Sequence, residues 1–326
     1  MNKKIIRTIY DKNFKMPEYF LSITYRDLSQ RKKRWANEKK SGRKVPIVKT
    51  WVINSKNNPN CGIIVKIDSS GREISRNYSD FIHGIMIFDN IILCASHHEI
   101  QAFSLDLKEL KKIYSYSHFN ALHSMRKTKD GFLVTSSGTD SIFELDKDEK
   151  ILWRWYATDH AYIYDSFGKE RILDKEIDHK LVEYDTWLHT AHINAAVEYN
   201  ENTILATSFM QGTLIAIDKN SGEVKIIISN LKRPHAVRVY NNNDISFADT
   251  ANGKAYYGRI ENGIFKLLNS ITIESLWLQD CFIKDNNWYT VDGENSRVQV
   301  FDKNNNLLLN DQYNEDWYLY ELELNN

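Results

Sequence analysis

The stretch HSMRKTKDGFLVTSSGTDSIFELDKDEKILWRWY (residues 123–156) decides the fold. It holds four short apolar segments separated by polar turns, and one of these turns contains Asp130-Gly131, a pair typical of tight β-hairpins. Apolar runs of about five to eight residues that are bounded by turn residues are typical of β-strands. The stretch therefore predicts a unit of four antiparallel strands.

The same pattern recurs along the chain. A polar side chain, an apolar strand, a turn and a second apolar strand follow one another in five segments, and the polar side chains are His83, His123, His192, His235 and Gln279. A third strand ending near an acidic turn follows each time, and a short fourth strand usually closes the unit. Four strands in a repeat of roughly 40–50 residues are typical of a β-propeller blade.

A sixth blade is expected from residues 46–78, which supply at least three strands. A segment near one end of the chain should add the missing strand and leave no free edge in the ring. Both PEYFLSITY (17–25) and WYLYELELNN (317–326) fit this role, and the sequence does not decide between them. We therefore predict an all-β chain, with a basic N-terminal extension over residues 1–45, partly packed on a single six-bladed β-propeller over residues 46–326.

Charge is unevenly distributed along the chain. Residues 1–45 hold 14 Lys and Arg against 4 Asp and Glu, although the formal net charge of the whole chain is zero. Such a basic segment can contact nucleic acid, an anionic membrane or a protein partner. Because the whole chain has no net charge, the residues after 45 are acidic overall and would repel the phosphates of a nucleic acid. The charge distribution therefore favours a solvated arm that complements this acidic part or binds a protein.

Several classes of protein are disfavoured. No apolar run reaches about 18 residues, and the charged start does not resemble a secretory signal, so we expect no membrane insertion and a cytoplasmic location. The three cysteines are far apart and lack CxxC spacing, which argues against a disulfide framework and a cysteine zinc site. No Walker, GxGxxG or HExxH motif occurs, so no nucleotide or organic cofactor is expected.

Four of the ten histidines occupy one repeat position. The first strand of each blade lines the central channel of a propeller, so His83, His123, His192 and His235 should converge on one axis. Imidazole nitrogen is a common ligand of transition metals. The pattern predicts that these four histidines bind a divalent transition metal (Fe, Zn or Mn), although water and neighbouring polar groups would also satisfy such a ring.

Other polar residues lie close to this repeat position. Asn194 follows His192 by two residues, and we predict that it acts with His192 and His123 as a catalytic group by binding substrate or orienting a ring. Arg126 and Arg238 each follow their ring histidine by three residues. They are the predicted substrate-binding residues for an anionic group, and ion pairs between blades are the alternative explanation.

A long connection at about residues 155–188 separates two blades. It is rich in Trp and Tyr, which favours ordered packing over disorder. Links between blades emerge on the face where the ring histidines begin. We therefore predict that residues 156–186 cover the channel mouth and close a pocket there.

Some blades resemble those of known propellers. Residues 233–260 and 295–308 look like NHL-type blades, whereas residues 123–160 and 185–224 are similar to arylsulfotransferase-type propellers, which carry a D-W-x-H-x-N segment, then Ser-x-Arg, then an I-x-x-I-D-x-x-T-G-E-I strand. The resemblance implies a catalytic arginine after the Ser-Ser or Thr-Ser pair, but this chain has Gly138 and Phe209 there. It also implies an export signal, which the sequence lacks.

Three hypotheses for the function follow. The preferred one is an enzyme in which the histidine-bound metal acts on a small molecule, as in a lyase, hydrolase or oxygenase. The resemblance implies a second, an arylsulfotransferase-like group transfer through His192, with His123 and His235 stabilising the anion. The third is a non-catalytic propeller that recognises a partner through one face and the basic arm.

Overall fold

The fold is a ring of antiparallel sheets. A computed structural model of the chain describes residues 5–25, 61–160 and 162–325. In these ranges the chain forms six sheets of four or five strands, with short 3-10 turns and no α-helix. The innermost strand of each sheet contacts the innermost strands of its two neighbours, which closes a circle around one axis. The predicted all-β, six-bladed propeller is therefore confirmed.

Three blades follow one another from residue 85 to residue 228, and each pairs its strands in chain order. Their strands are β5 (Ile85–Phe88), β6 (Ile91–Ala95), β7 (Ile100–Ser104) and β8 (Leu110–Tyr114) in the first; β9 (Leu122–Lys127), β10 (Phe132–Ser136), β11 (Ser141–Leu145) and β12 (Ile151–Tyr156) in the second; and β13 (Ile193–Asn200), β14 (Thr203–Ser208), β15 (Thr213–Asp218) and β16 (Val224–Ile228) in the third.

The other three blades follow the same plan, with two additions from the start of the chain. Their strands are β17 (His235–Val239), β18 (Asp244–Asp249), β19 (Lys254–Glu261) and β20 (Ile264–Thr272) in the fourth; β21 (Leu278–Lys284), β22 (Asn287–Asp292), β23 (Arg297–Phe301), β24 (Leu307–Gln312) and the outer β1 (Ile6–Ile9) in the fifth; and β25 (Trp317–Leu324), β2 (Tyr19–Tyr25), β3 (Gly62–Ile67) and β4 (Glu73–Ser79) in the sixth.

Both candidate closing segments enter the sixth blade. β25 is its innermost strand and pairs with β2, so that Ile23 lies opposite Leu319. Four strands therefore complete the blade. Residues 46–78 were expected to supply at least three strands, and the structure shows two there, β3 and β4. Residues 46–60 of that region lie outside the described residues.

Residues 1–45 are predicted to be an extension partly packed on the propeller, with residues 17–25 as one of the two candidate closing segments, and two strands of this region, β1 and β2, belong to blades. β2 is part of a blade because its side chains from Tyr19 to Thr24 are all buried, which a surface arm could not achieve. β1 pairs with the outer edge of β24. Residues 26–45, with most of the basic side chains, lie outside the described residues, so the basic arm and its protein partner stay predictions.

The apolar core lies between neighbouring blades. In one cluster, Leu21, Ile63 and Leu319 of the sixth blade pack with Val291 and Val300 of the fifth. Strands of this kind bury apolar side chains on both faces, because each blade is covered by a blade on either side. Polar residues are left for the axis, the two channel mouths and the exposed outer strands. Within the described ranges, no helix is long and apolar enough to cross a membrane.

Shortening one side chain of β25 tests the closing strand. The Leu319 side chain is fully buried, so we expect Leu319→Ala to lower the free energy of unfolding by about 2–5 kcal/mol. The control Leu267→Ala lies on the outer strand β20, where the side chain is 55% exposed, and should change it by less than about 0.5 kcal/mol. Urea unfolding measures both, and equal losses would contradict a closing role for β25.

Candidate active site at one channel mouth

The four ring histidines lie together at the amino ends of the inner strands. The ring centroid of His123 is 4.9 Å from that of His83, 5.8 Å from that of His192 and 5.5 Å from that of His235. His83, His192 and His235 are buried, and His123 is partly buried. The repeat position thus brings these imidazoles into mutual contact, as the sequence pattern predicts.

These histidines line a cavity of about 420 Å³. Its wall combines Phe, Tyr and Trp rings with six histidines and several other polar side chains. The other lining residues are Phe81, His97, Ala121, Glu183, Tyr184, Asp185, Thr186, Trp187, His189, Phe209, Arg233, Trp277, Gln279, Tyr318 and Tyr320. A volume of this size lies within the range of about 300–1,000 Å³ that small-molecule sites occupy.

The long connection between the second and third blades covers part of this cavity. Trp155 and Tyr156 still belong to β12, so the insertion begins after them. Its last residues, 183–187, contribute lining side chains on the same face as the histidines. This placement agrees with the predicted cover for that end of the insertion; the other described residues of the segment do not line the cavity.

A buried carboxylate fixes the chain just before β13. Asp140 accepts hydrogen bonds from the backbone N–H groups of Thr190 at 2.7 Å, Ala191 at 3.2 Å and His192 at 2.5 Å. It also forms an ion pair with Arg171, which comes from the insertion. These contacts hold His192 at a φ of 49°, a left-handed conformation that costs energy for a residue other than glycine.

The tight turn brings His189 against His192. Their Nδ1 atoms are 2.5 Å apart and their rings are stacked, with centroids 4.7 Å apart. A neutral imidazole carries one N–H, so one ring donates from Nδ1 and the other accepts there. His189 was not predicted to be a site residue, because its contact with His192 depends on the left-handed turn and not on the repeat. The His-x-x-His spacing of residues 189–192 is the feature of the sequence that could have indicated it.

Burial keeps the imidazoles of the site neutral. Removal from water lowers the pKa of His83 and His235 to about 4 in each case. Burial and the neighbouring imidazoles hold the pKa of His123 and that of His192 well below the usual value. Burial and the nearby Arg171 guanidinium likewise hold the pKa of His189 well below the usual value. At neutral pH the cavity therefore offers several uncharged bases.

Arg233 is a site residue that sequence analysis missed. Its guanidinium lies over the rings of Phe209 and Trp277, at 5.6 and 5.5 Å from their centroids, and it lines the cavity. A φ of 57° at this position turns the chain just before His235. The signal in the sequence was the Arg-Pro-His run that opens the fourth blade, in which a cation lies two residues before the ring position.

Asn194, predicted to be catalytic, does not line the cavity. Its side-chain amide donates to the carbonyl oxygen of Pro234 at 3.2 Å and thereby joins the third and fourth blades. The strand register shifts between Ile193 and Ala195, so a bulge turns Asn194 away from the histidines. Its role in the structure is to link two blades.

Arg126 and Arg238 also lie away from the histidines. Each is three residues further along its inner strand, a distance of about 10 Å. Arg126 pairs with Glu321 at 3.0 Å, and Arg238 pairs with Asp280 at 2.8 Å, across different blades. The contacts of both arginines are therefore the ion pairs between blades that the alternative explanation expected. Both arginines also line a second cavity.

The imidazoles are not arranged as a metal site. Among the described residues, no group of three or more His, Cys, Asp or Glu side chains has the geometry to hold a metal ion. The Nδ1 atoms of three predicted ligands contact the protein, namely His83 the Leu122 carbonyl at 3.0 Å, His235 the Thr250 hydroxyl at 2.9 Å, and His192 the ring of His189, so only their Nε2 atoms would be left as ligands. The donor set does not fit the group, and we derive no step through a metal.

The two positions where the arylsulfotransferase resemblance implies an arginine carry none. A Cβ at Gly138 would lie 1.9 Å from the Asn120 side-chain oxygen, so no side chain fits there. Phe209 lies in the cavity, with its ring 4.9 Å from that of His192. This geometry gives no support to an arylsulfotransferase site at these positions.

Comparison with known proteins gives a fold and no family. No protein-family model and no curated protein matches the chain. A protein of unknown function from Bacteroides caccae aligns with a TM-score of 0.60 at 11% identity, over 92% of this chain and 95% of that one. A streptogramin B lyase aligns with a TM-score of 0.53 at 11% identity, over 81% of this chain and 87% of that one. A nidogen/laminin complex aligns with a TM-score of 0.56 at 11% identity, over 94% of this chain and 97% of that one. At such identity the similarity shows the propeller fold alone.

The contacts of Asp140 predict that replacing its carboxylate by an amide strongly destabilises the fold. Asp140→Asn leaves the Arg171 guanidinium, which is only 8% exposed, without its counter-charge. We expect the free energy of unfolding to fall by about 3–5 kcal/mol. The control Asp159→Asn breaks the exposed ion pair with Lys175 and should cost about 0–1 kcal/mol. If thermal and urea unfolding show similar losses in both variants, Asp140 does not anchor the site.

Stability should also fall in mild acid. His83 and His235 stay neutral in the folded chain until their pKa of about 4, whereas they take up a proton near pH 6.5 when unfolded. The unfolded state then binds more protons, so the free energy of unfolding decreases as pH falls from about 6.5 towards about 4, by up to about 1.4 kcal/mol per pH unit for each group. Urea unfolding at several pH values should give a shallower slope for His83→Asn, and an unchanged slope would contradict this cause.

Proposed function

We propose that the chain is an enzyme of the lyase class, which removes a proton from a small molecule held in the histidine cavity. The observation that carries this proposal is the hydrogen-bonded pair of His189 and His192, buried and neutral beside an aromatic cavity. Burial keeps the imidazole of His192 unprotonated at neutral pH, so one ring nitrogen has a lone pair that can accept a proton, and His189 can share the positive charge that then forms. Neither serine nor cysteine is among the lining residues, which disfavours a serine or thiol nucleophile.

His192 is the proposed base. When Nε2 of His192 accepts a proton from a substrate carbon, Nδ1 of His192 can share its proton with His189, which spreads the positive charge over two rings. The electrons of the broken C–H bond form a double bond, and the bond from the neighbouring carbon to the leaving oxygen breaks. That oxygen departs with the electron pair and takes the proton back from His192, so that the enzyme returns to its neutral state.

The remaining walls define the substrate class. The guanidinium of Arg233, stacked on Phe209 and Trp277, is the cation placed to balance negative charge that develops on a carbonyl next to the reacting carbon. The aromatic walls suit a flat, apolar portion of the substrate. The proposed substrate is therefore a small molecule that joins an aromatic part to an ester-like or amide-like carbonyl.

A structural neighbour supports the reaction class. One solved propeller with a similar fold is named a streptogramin B lyase. The likeness concerns the fold, so the name suggests a first compound to test and no residue roles. Sulfate transfer through His192 and recognition without catalysis are kept as outcomes of the experiment.

The decisive experiment combines turnover with two variants. The full chain is incubated with streptogramin B and a panel of aromatic esters, and products are identified by mass, since hydrolysis adds water and elimination does not. We expect His192→Asn to lower kcat at least 100-fold. The control His160→Asn, in which the changed ring stacks on Trp155 and does not line the cavity, should stay within about twofold of the wild type.

Other results would change the proposal. Loss of turnover on chelation, with recovery on adding Zn, Fe or Mn, would restore the metal-dependent hypothesis. Transfer of sulfate from an aryl sulfate would support the second hypothesis. Ligand binding without turnover would make the chain a recognition propeller, and such binding can be detected by quenching of the fluorescence of Trp187 and Trp277 in the cavity wall. Turnover that survives His192→Asn would refute a role for His192.

A further inference from the structure

We infer that Gln279 is a substrate-binding residue of the histidine cavity, which donates a hydrogen bond to a carbonyl oxygen of the substrate and so selects for that group. Gln279 lies near the start of β21, at the repeat position that a histidine occupies in four other blades. Its side chain lines the cavity. This role rests on the proposed function only in that the cavity is taken as the place where the substrate binds.

Two side chains fix the orientation of the Gln279 amide. Its Oε1 atom accepts hydrogen bonds from Nε1 of Trp277 at 2.6 Å and from the hydroxyl of Tyr318 at 3.1 Å. An indole N–H can only donate, so the amide atom beside Trp277 has to be the oxygen. A flipped amide would lose this bond. The position of Nε2 is therefore set by the structure before any ligand arrives.

The amide nitrogen is a donor that the described part of the chain does not satisfy. Nε2 of Gln279 has no hydrogen-bond partner among the described residues, and it is not one of the unpartnered polar atoms that are shut off from solvent. The whole residue is only 4% exposed. Because the side chain lines the cavity, the accessible part of Nε2 faces the cavity. Such an enclosed donor needs a partner, which a bound ligand can supply in place of water.

The surroundings of this donor favour an uncharged acceptor. Trp277 uses its one N–H on Gln279, so its indole offers the cavity only the ring. The ring of Tyr318 lies 4.8 Å from that of Tyr320, and both line the same cavity. One uncharged donor among aromatic rings compensates little of the cost of desolvating a carboxylate, whereas it matches the oxygen of an ester or amide.

The same wall holds the cation of the proposed reaction. Trp277 contacts both groups, since its N–H binds Gln279 and its ring lies under the guanidinium of Arg233. A carbonyl that meets Gln279 therefore lies on the wall where Arg233 is placed to balance developing negative charge. Gln279 would hold this carbonyl in the ground state already, because its donor is fixed in advance.

The test compares ethyl phenylacetate with ethyl 2-phenylethyl ether, in which a CH₂ group replaces the carbonyl. Each compound is titrated into the full chain, and quenching of tryptophan fluorescence gives its affinity. We expect the wild type to bind the ester about fivefold more tightly than the ether, as the loss of one hydrogen bond implies.

Two variants of Gln279 assign this preference to its amide. Gln279→Glu keeps an oxygen for Trp277 and Tyr318 but has no amide N–H, and Gln279→Met has neither a donor nor a charge. In both variants the preference for the ester should fall below about twofold. The control Gln101→Glu makes the same change on β7, outside the cavity, and should keep the preference of the wild type.

Opposite results would overturn the role of Gln279. These are equal affinities of ester and ether for the wild type, no binding of the ester at millimolar concentration, or a preference that persists in Gln279→Met, which would place the donor among the histidines. Circular dichroism checks the fold, and Gln279→Met answers the question if Gln279→Glu does not fold. These affinities are measured without turnover, so a failure of the lyase proposal would leave them unchanged.

Discussion

The pairing of β25 with β2 is the contact on which the rest of the structure depends. Without it, the sixth blade would be split and would present open strand edges on β25 and β2, and the fifth and sixth blades would lose the apolar cluster that Leu319 joins. A propeller blade has no core of its own, because its apolar side chains are buried by its neighbours. Closing the ring therefore stabilises every blade through its two interfaces.

The closing strand also organises the channel. Tyr318 and Tyr320 near its start line the histidine cavity, and Glu323 near its end lines the second cavity. Between these levels, Glu321 reaches Arg126 on β9 and the backbone of β5. One strand thus contributes to both channel mouths and to the polar layer that separates them.

Much of this architecture could be predicted from the sequence, because repeats with apolar strands and hairpin turns such as Asp130-Gly131 impose a blade pattern. The repeat also located the histidines, since equivalent positions in a ring face one axis. The pairing of His189 with His192 could not be predicted in this way, because it needs a left-handed residue held by Asp140. Arg126 and Arg238 were recognised as a pair, but their three-residue offset carries them to the other mouth.

Ring closure has a consequence for how the chain folds. Ser22 of β2 contacts Glu321 of β25 across 299 positions of sequence. During synthesis β2 is made early and can pair with β3, but its other edge must wait for β25, the last of the described strands. Folding rates fall as contacting residues become more distant in sequence, and unpaired strand edges promote aggregation in the meantime. The sixth blade should therefore be the slowest to form, and the waiting β2 the segment that most needs protection by chaperones.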